Sequence, residues 1–144
     1  MREIKFRAWE KHAKRMTEVT AFKWKPDHLY HQIYTRAIVN QKMIDEWCAY
    51  DFGGDSNGII LMQYTGLKDK NGVEIYEGDV VQIKDHAFHK KPGDYTGIEI
   101  DGFYPVSYTE RMELVAGQWL LMHQLPYITV VGNIYENPEL LENN

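Results

Sequence analysis

The chain has 144 residues, a formal net charge of −5 and a single cysteine, Cys48. That length suits one domain, or one domain with a small appended unit, and allows enough burial to fold without a metal or a disulfide. One cysteine excludes an internal disulfide and fits a reducing cytoplasm, and no apolar run reaches the roughly 18 residues that a membrane span requires.

In chain order, Ile4, Phe6 and Ala8 alternate with Lys5 and Arg7, the two-residue period of a half-buried strand. This start lacks the apolar core of a signal peptide, so the protein is expected to stay in the cytoplasm where it is made. Residues 10–15 read as a hairpin loop and residues 16–22 as the returning strand, rich in Thr and Val; Lys25, Pro26 and Asp27 end it. Residues 29–39 read as a further strand. Met43, Ile44, Trp47 and Cys48 recur at helical spacing, which predicts a short helix over 40–49. Cys48 itself reads as a small buried hydrophobe. Residues 51–58, with three glycines among small polar residues, form the expected loop and the expected boundary between parts 1–58 and 59–144 of one compact unit.

Beyond that loop the signals sharpen. Ile59 to Met62 is a compact apolar run, and Asn71-Gly72 supplies the positive φ angles of a tight hairpin. Val73 and Ile75, then Val80, Val81 and Ile83, flank a second turn at Glu77, Gly78 and Asp79, while 85–95 reads as a long exposed loop. Val106, Tyr108, Met112 and Leu114 step by two like one strand face, and Ala116-Gly117 turns into the apolar stretch 119–122. In the last strand Ile128, Val130 and Ile134 face one way, and Tyr127, Thr129, Val131 and Tyr135 the other. Asn137 and Pro138 then begin a short C-terminal helical turn. Short strands and tight turns at this spacing predict a mainly β fold: an N-terminal β-hairpin unit followed by a small SH3-like barrel over about 60–135.

Three segments carry a family resemblance. They are Arg2 to Trp9, followed by Lys14, Arg15 and Met16; Leu61 to Gly72, running on through Glu74 to Asp79; and Val131 to Leu140. In order and spacing they resemble the YopX family of bacteriophage and prophage proteins. The stretches 17–58 and 84–126 carry no matching pattern. The resemblance implies a phage or prophage origin, a bacterial cytoplasm, a β-rich fold and a family without an assigned activity; it offers no catalytic residue. Physically the matched residues read as fold determinants. Gly66, Gly72, Gly78 and Gly132 sit where a turn or close approach excludes a side chain, and Asp69 and Asp79 can accept backbone N–H groups within their turns.

Candidate chemistry is sparse. His28 with His31, and His86 with His89, are spaced as metal ligands could be but lack the further ligands a zinc site needs, so they read as solvated loop histidines. Glu74, Glu77 and Asp79 could hold the metal of a Mg²⁺-dependent hydrolase, but Gly78 among them indicates exposed turn acids. No nucleophile elbow, phosphate loop or dinucleotide fingerprint occurs, and no catalytic residue, metal or cofactor is assigned.

Two contact candidates remain. Residues 1–25 carry a net charge of +5 and the rest −10. Arg2, Lys5, Arg7, Lys14 and Arg15, with Trp9 among them, could hold phosphates while a ring stacks on a base. The plainer reading is a solvated strand face that prevents unwanted pairing, and an acidic body disfavours general nucleic-acid binding. Tyr64, Thr65, Lys68 and Asp69 are the alternative, as a recognition loop at a barrel mouth. The favoured function is a non-enzymatic interaction module contacting a host or phage protein, with homo-oligomer formation as one form of it. Nucleic-acid binding comes second and metal-dependent hydrolysis third, and no membrane partner is expected.

Overall fold

The structure is a computed structural model that describes residues 3–25, 31–50 and 58–143, without the side chains of 48–50 and 143. Arg2, the strand end at Pro26 and Asp27, His28, the glycine-rich loop at 51–57 and the burial of Cys48 therefore lie outside the described residues. The chain divides into two compact units, Glu3–Gln63 and Tyr64–Asn144.

The first unit is an antiparallel sheet made from β1 (Phe6–Glu10), β2 (Arg15–Lys23), β3 (His31–Val39), β4 (Lys42–Tyr50) and the first half of β5 (Ile59–Lys68). Its order is β4-β3-β2-β1-β5. Residues 40–49 are not a helix. Asn40 and Gln41 take φ angles of 51° and 64°, and β4 returns along β3 in register from Val39–Lys42 to His31–Tyr50. The spacing of 43, 44, 47 and 48 also satisfies alternation, with 43 and 47 on one face and 44 and 48 on the other. Pairing with β3 decides between the two periods. Ala8, Thr17, Ile33, Thr35 and Ala37 are buried in this unit, and the Thr17 hydroxyl donates to the Ala8 carbonyl at 3.2 Å.

In the second unit, the end of β5 pairs with β6 (Glu74–Tyr76). An open five-stranded sheet has the order β10-β9-β8-β7-β11, formed by β7 (Asp79–Ile83), β8 (Gly102–Tyr108), β9 (Leu114–Ala116), β10 (Trp119–Leu120) and β11 (Ile128–Asn133). A four-residue helix α1 (Leu121–Gln124) and short 3₁₀ turns at Leu125–Tyr127 and Pro138–Asn143 complete it. Ile75, Val81, Ile83, Ile100, Val106, Ala116, Leu121 and Ile128 form its core.

The fold is mainly β, as the sequence implies, but among the described residues no closed barrel is found. The SH3-like expectation for 60–135 is corrected to open sheets. Two local expectations change as well. Val106, Tyr108 and Leu114 do share a face, but across a hairpin: Tyr108 pairs with Leu114, and Met112, at φ 63°, lies in the connecting turn. The last strand stops at Asn133, with its register shifted between Val130 and Gly132, so Ile134 and Tyr135 belong to a turn. The C-terminal turn at Pro138 is present. The Asn137 side chain, however, reaches back to accept the Asn133 N–H at 3.2 Å instead of capping that turn.

Candidate interaction surface

Three of the four residues of the predicted recognition loop serve the fold. Tyr64, Thr65 and Asp69 are all buried. The Thr65 hydroxyl donates to the Ile75 carbonyl at 2.6 Å and accepts the Leu67 N–H at 3.1 Å. Asp69 Oδ1 accepts the N–H groups of Asn71 and Val73 at 2.8 and 2.9 Å, and its Oδ2 accepts that of Val130 at 2.9 Å. One carboxylate thus closes the 69–73 turn and fastens it to β11. Lys68 is exposed, opposite Glu74 in the ladder.

Of the acids expected to be solvated, Asp79 is 1% exposed and its Oδ2 accepts the Tyr76 N–H at 2.7 Å, so it too is a turn device. The histidines are similarly employed. His31 lies on β3, where its Nδ1 accepts the Lys25 N–H at 2.9 Å and its ring stacks on Trp24 at 4.6 Å. His86 Nδ1 accepts the Phe88 N–H at 3.0 Å. His89 Nδ1 accepts the N–H groups of Ile100 and Asp101 at 3.0 and 3.1 Å. Asp101 in turn accepts the N–H groups of Asp85 and His86, both at 3.0 Å, so the long exposed loop before β8 is ordered by its own side chains. Among the described residues no three His, Cys, Asp or Glu side chains gather as metal ligands.

The basic set is dispersed, and Lys5, Arg7 and Arg15 in it each stand beside an acid. Lys5 pairs with Glu3 at 3.2 Å. Trp9 is only 9% exposed, which leaves little ring face for a base. Lys14 is exposed in the β1–β2 turn at φ 51°. Arg15 is bound by Glu10 and by Glu46, the latter at 3.3 Å, and the Glu10 hydrogen bond raises its already high pKa. Arg7 stands in a row that crosses the sheet through the strand register: Arg7 opposite Glu18, Glu18 opposite Arg36, Arg36 opposite Asp45. The signs alternate along it, and it ends in a carboxylate on β4. Arg36 Nε donates to Asp45 Oδ1 at 2.7 Å; this bond holds the Asp45 carboxyl below its ordinary value and raises Arg36.

That row leads to a surface that no local sequence pattern announces. β4 ends the sheet, and no described strand pairs with its outer side. A two-residue turn with both φ angles positive makes Val39 and Lys42 the hydrogen-bonded pair closing the hairpin. Alternation then leaves Met43, Asp45 and Trp47 with their backbone N–H and C=O groups pointing outward. The same three residues share a face with their cross-strand partners Ile38, Arg36 and Tyr34. Ile38, Met43 and Trp47 are 75%, 62% and 56% exposed. A groove of about 380 Å³ lies beside them, lined by Thr20, Tyr34, Arg36, Asp45 and Trp47. Apolar side chains and open backbone positions therefore coincide along one edge. Met43, Asp45 and Trp47 are two residues apart in the sequence, but nothing local there marks their strand as an edge.

The family model described as "YopX protein" matches residues 5–142 of the chain. The crystal structure of protein EF1440 from Enterococcus faecalis is similar at 29% identity, covering 98% of this chain and 99% of its own, with a TM-score of 0.63. No curated protein sequence matches the chain significantly. No described helix is long and apolar enough to cross a membrane.

Proposed function

The chain belongs to the YopX family, and on that footing we propose that it is a non-enzymatic interaction module of phage or prophage biology, acting in the bacterial cytoplasm by adding a partner's extended strand to the edge of β4. The observation that carries this reading is the coincidence on the β3–β4 hairpin of outward backbone groups on β4 with the exposed side chains of Ile38, Met43 and Trp47. Strand addition draws affinity from main-chain hydrogen bonds and selectivity from alternate side chains. A long edge carrying apolar residues is otherwise a hazard that soluble proteins avoid. The matched family residues fit the same view, because Thr65, Asp69 and Asp79 have their oxygens committed to backbone groups.

Met43→Pro tests the proposal. The Met43 N–H points away from β3, so proline there blocks an added strand while keeping the hairpin and the Arg36–Asp45 pair. Proteins held by the immobilised wild-type chain from a bacterial lysate should be lost with Met43→Pro. An unchanged retained set would overturn the edge as the binding element.

A further inference from the structure

Resting on that edge-strand reading, we infer that the strand added to β4 is β4 of a second copy, paired antiparallel about a twofold axis through Ile44. The case is one of register and charge. Because the outward backbone groups belong to Met43, Asp45 and Trp47, only registers that set these odd-numbered positions against one another form ladder bonds. Centring the axis on Asp45 puts Asp45 opposite Asp45, and centring it on Glu46 puts Glu46 opposite Glu46. Like charges directly opposed on adjacent strands are destabilising. Centring on Ile44 removes both clashes. It places Lys42 of each copy opposite Glu46 of the other, Met43 opposite Asp45, and Ile44 against itself.

Axes on Met43 or Trp47 avoid like charges but oppose no opposite ones, so among registers centred on β4 the Ile44 axis alone sets Lys42 against Glu46, whereas an edge protected only against association needs no such complementarity. Glu46 already touches Arg15 at 3.3 Å, so the ion pairs formed across the axis would extend a charge cluster in place. Ile44 is half-buried and Lys42 exposed in the single chain, so pairing covers surface the monomer leaves in water. The interface is short, and the dimer should be one that forms and dissociates with concentration.

Sedimentation equilibrium on the full chain provides the test. The wild type should show a concentration-dependent dimer. Lys42→Glu and Glu46→Lys should each weaken it about tenfold or more, since each puts like charges at both ends of the axis. An equimolar mixture of the two variants should restore association to near the wild-type level, because opposite charges then meet at both positions. Far-UV circular dichroism checks that both variants are folded. As a second measurement, Ile44→Cys combined with Cys48→Ser should cross-link to itself on oxidation, since residues on the axis would lie at roughly 4.5 Å between Cα atoms. A wild type that stays monomeric up to about 1 mM, or a mixture that associates no better than either variant alone, overturns the self-pairing. If Met43→Pro still abolishes retention of another protein while the wild type remains monomeric, the edge-strand reading stands and only the second copy is excluded.

Discussion

Asp69 shows how a residue in the recognisable stretches acts. Its two oxygens accept three backbone N–H groups, two within its own turn and one from Val130, 61 positions away. Asp69→Ala strands three donors at a buried position and should cost at least about 3 kcal/mol, since each such group costs roughly 1–3 kcal/mol. Asp69→Asn keeps one acceptor oxygen and should cost less. Urea midpoints decide it, and variants indistinguishable from wild type would refute the account. Gly132 acts by absence. A Cβ there would run into the Asn137 side chain, which is bonded to the Asn133 N–H. Gly132→Ala should therefore destabilise the chain, and adding Asn137→Ala should recover part of the loss. Strict additivity of the two changes would show that the crowding is not the cause.

Among elements, the β3–β4 hairpin is the most informative. Its turn uses Asn40 and Gln41 at left-handed φ, where glutamine is strained. Gln41→Gly should raise stability by about 0.5–1 kcal/mol, measured by thermal unfolding; a loss of stability would contradict this turn geometry. The Arg36–Asp45 pair on the same hairpin has a defined pH sign. Arg36 holds the Asp45 carboxyl below its ordinary value, so the pair stabilises the folded hairpin above the usual carboxylate range. That contribution disappears as pH falls through the depressed value. Both groups are solvent-exposed, so salt screens the effect. Carboxyl NMR should find the Asp45 midpoint low in the wild type and raised in Arg36→Gln; equal midpoints would rule the pairing out in solution.

For the whole molecule, charge is the relevant property. The +5 of residues 1–25 suggests a phosphate-binding edge when read along the sequence. In the fold, Arg7 faces Glu18, Arg15 is held by Glu10 and Glu46, and Lys5 by Glu3. With the net charge at −5, filter binding at physiological salt should retain neither DNA nor RNA. Salt-sensitive retention lost on substituting Lys5 and Lys14 would reverse this view.

The sequence by itself determined what depends on neighbours along the chain: the strands β1 and β2, the positive φ of Gly72 at 82°, and the turn roles of Asp69 and Asp79. Each is encoded within a few residues, so period and turn chemistry suffice. Tertiary structure decided the rest. Residues 43, 44, 47 and 48 fit helix and strand periods equally, and only pairing with β3 chose the strand. Pairing also joined Arg7, Glu18, Arg36 and Asp45 into one row and left β4 at the edge, because long-range register is set by which strands meet and no local pattern contains it.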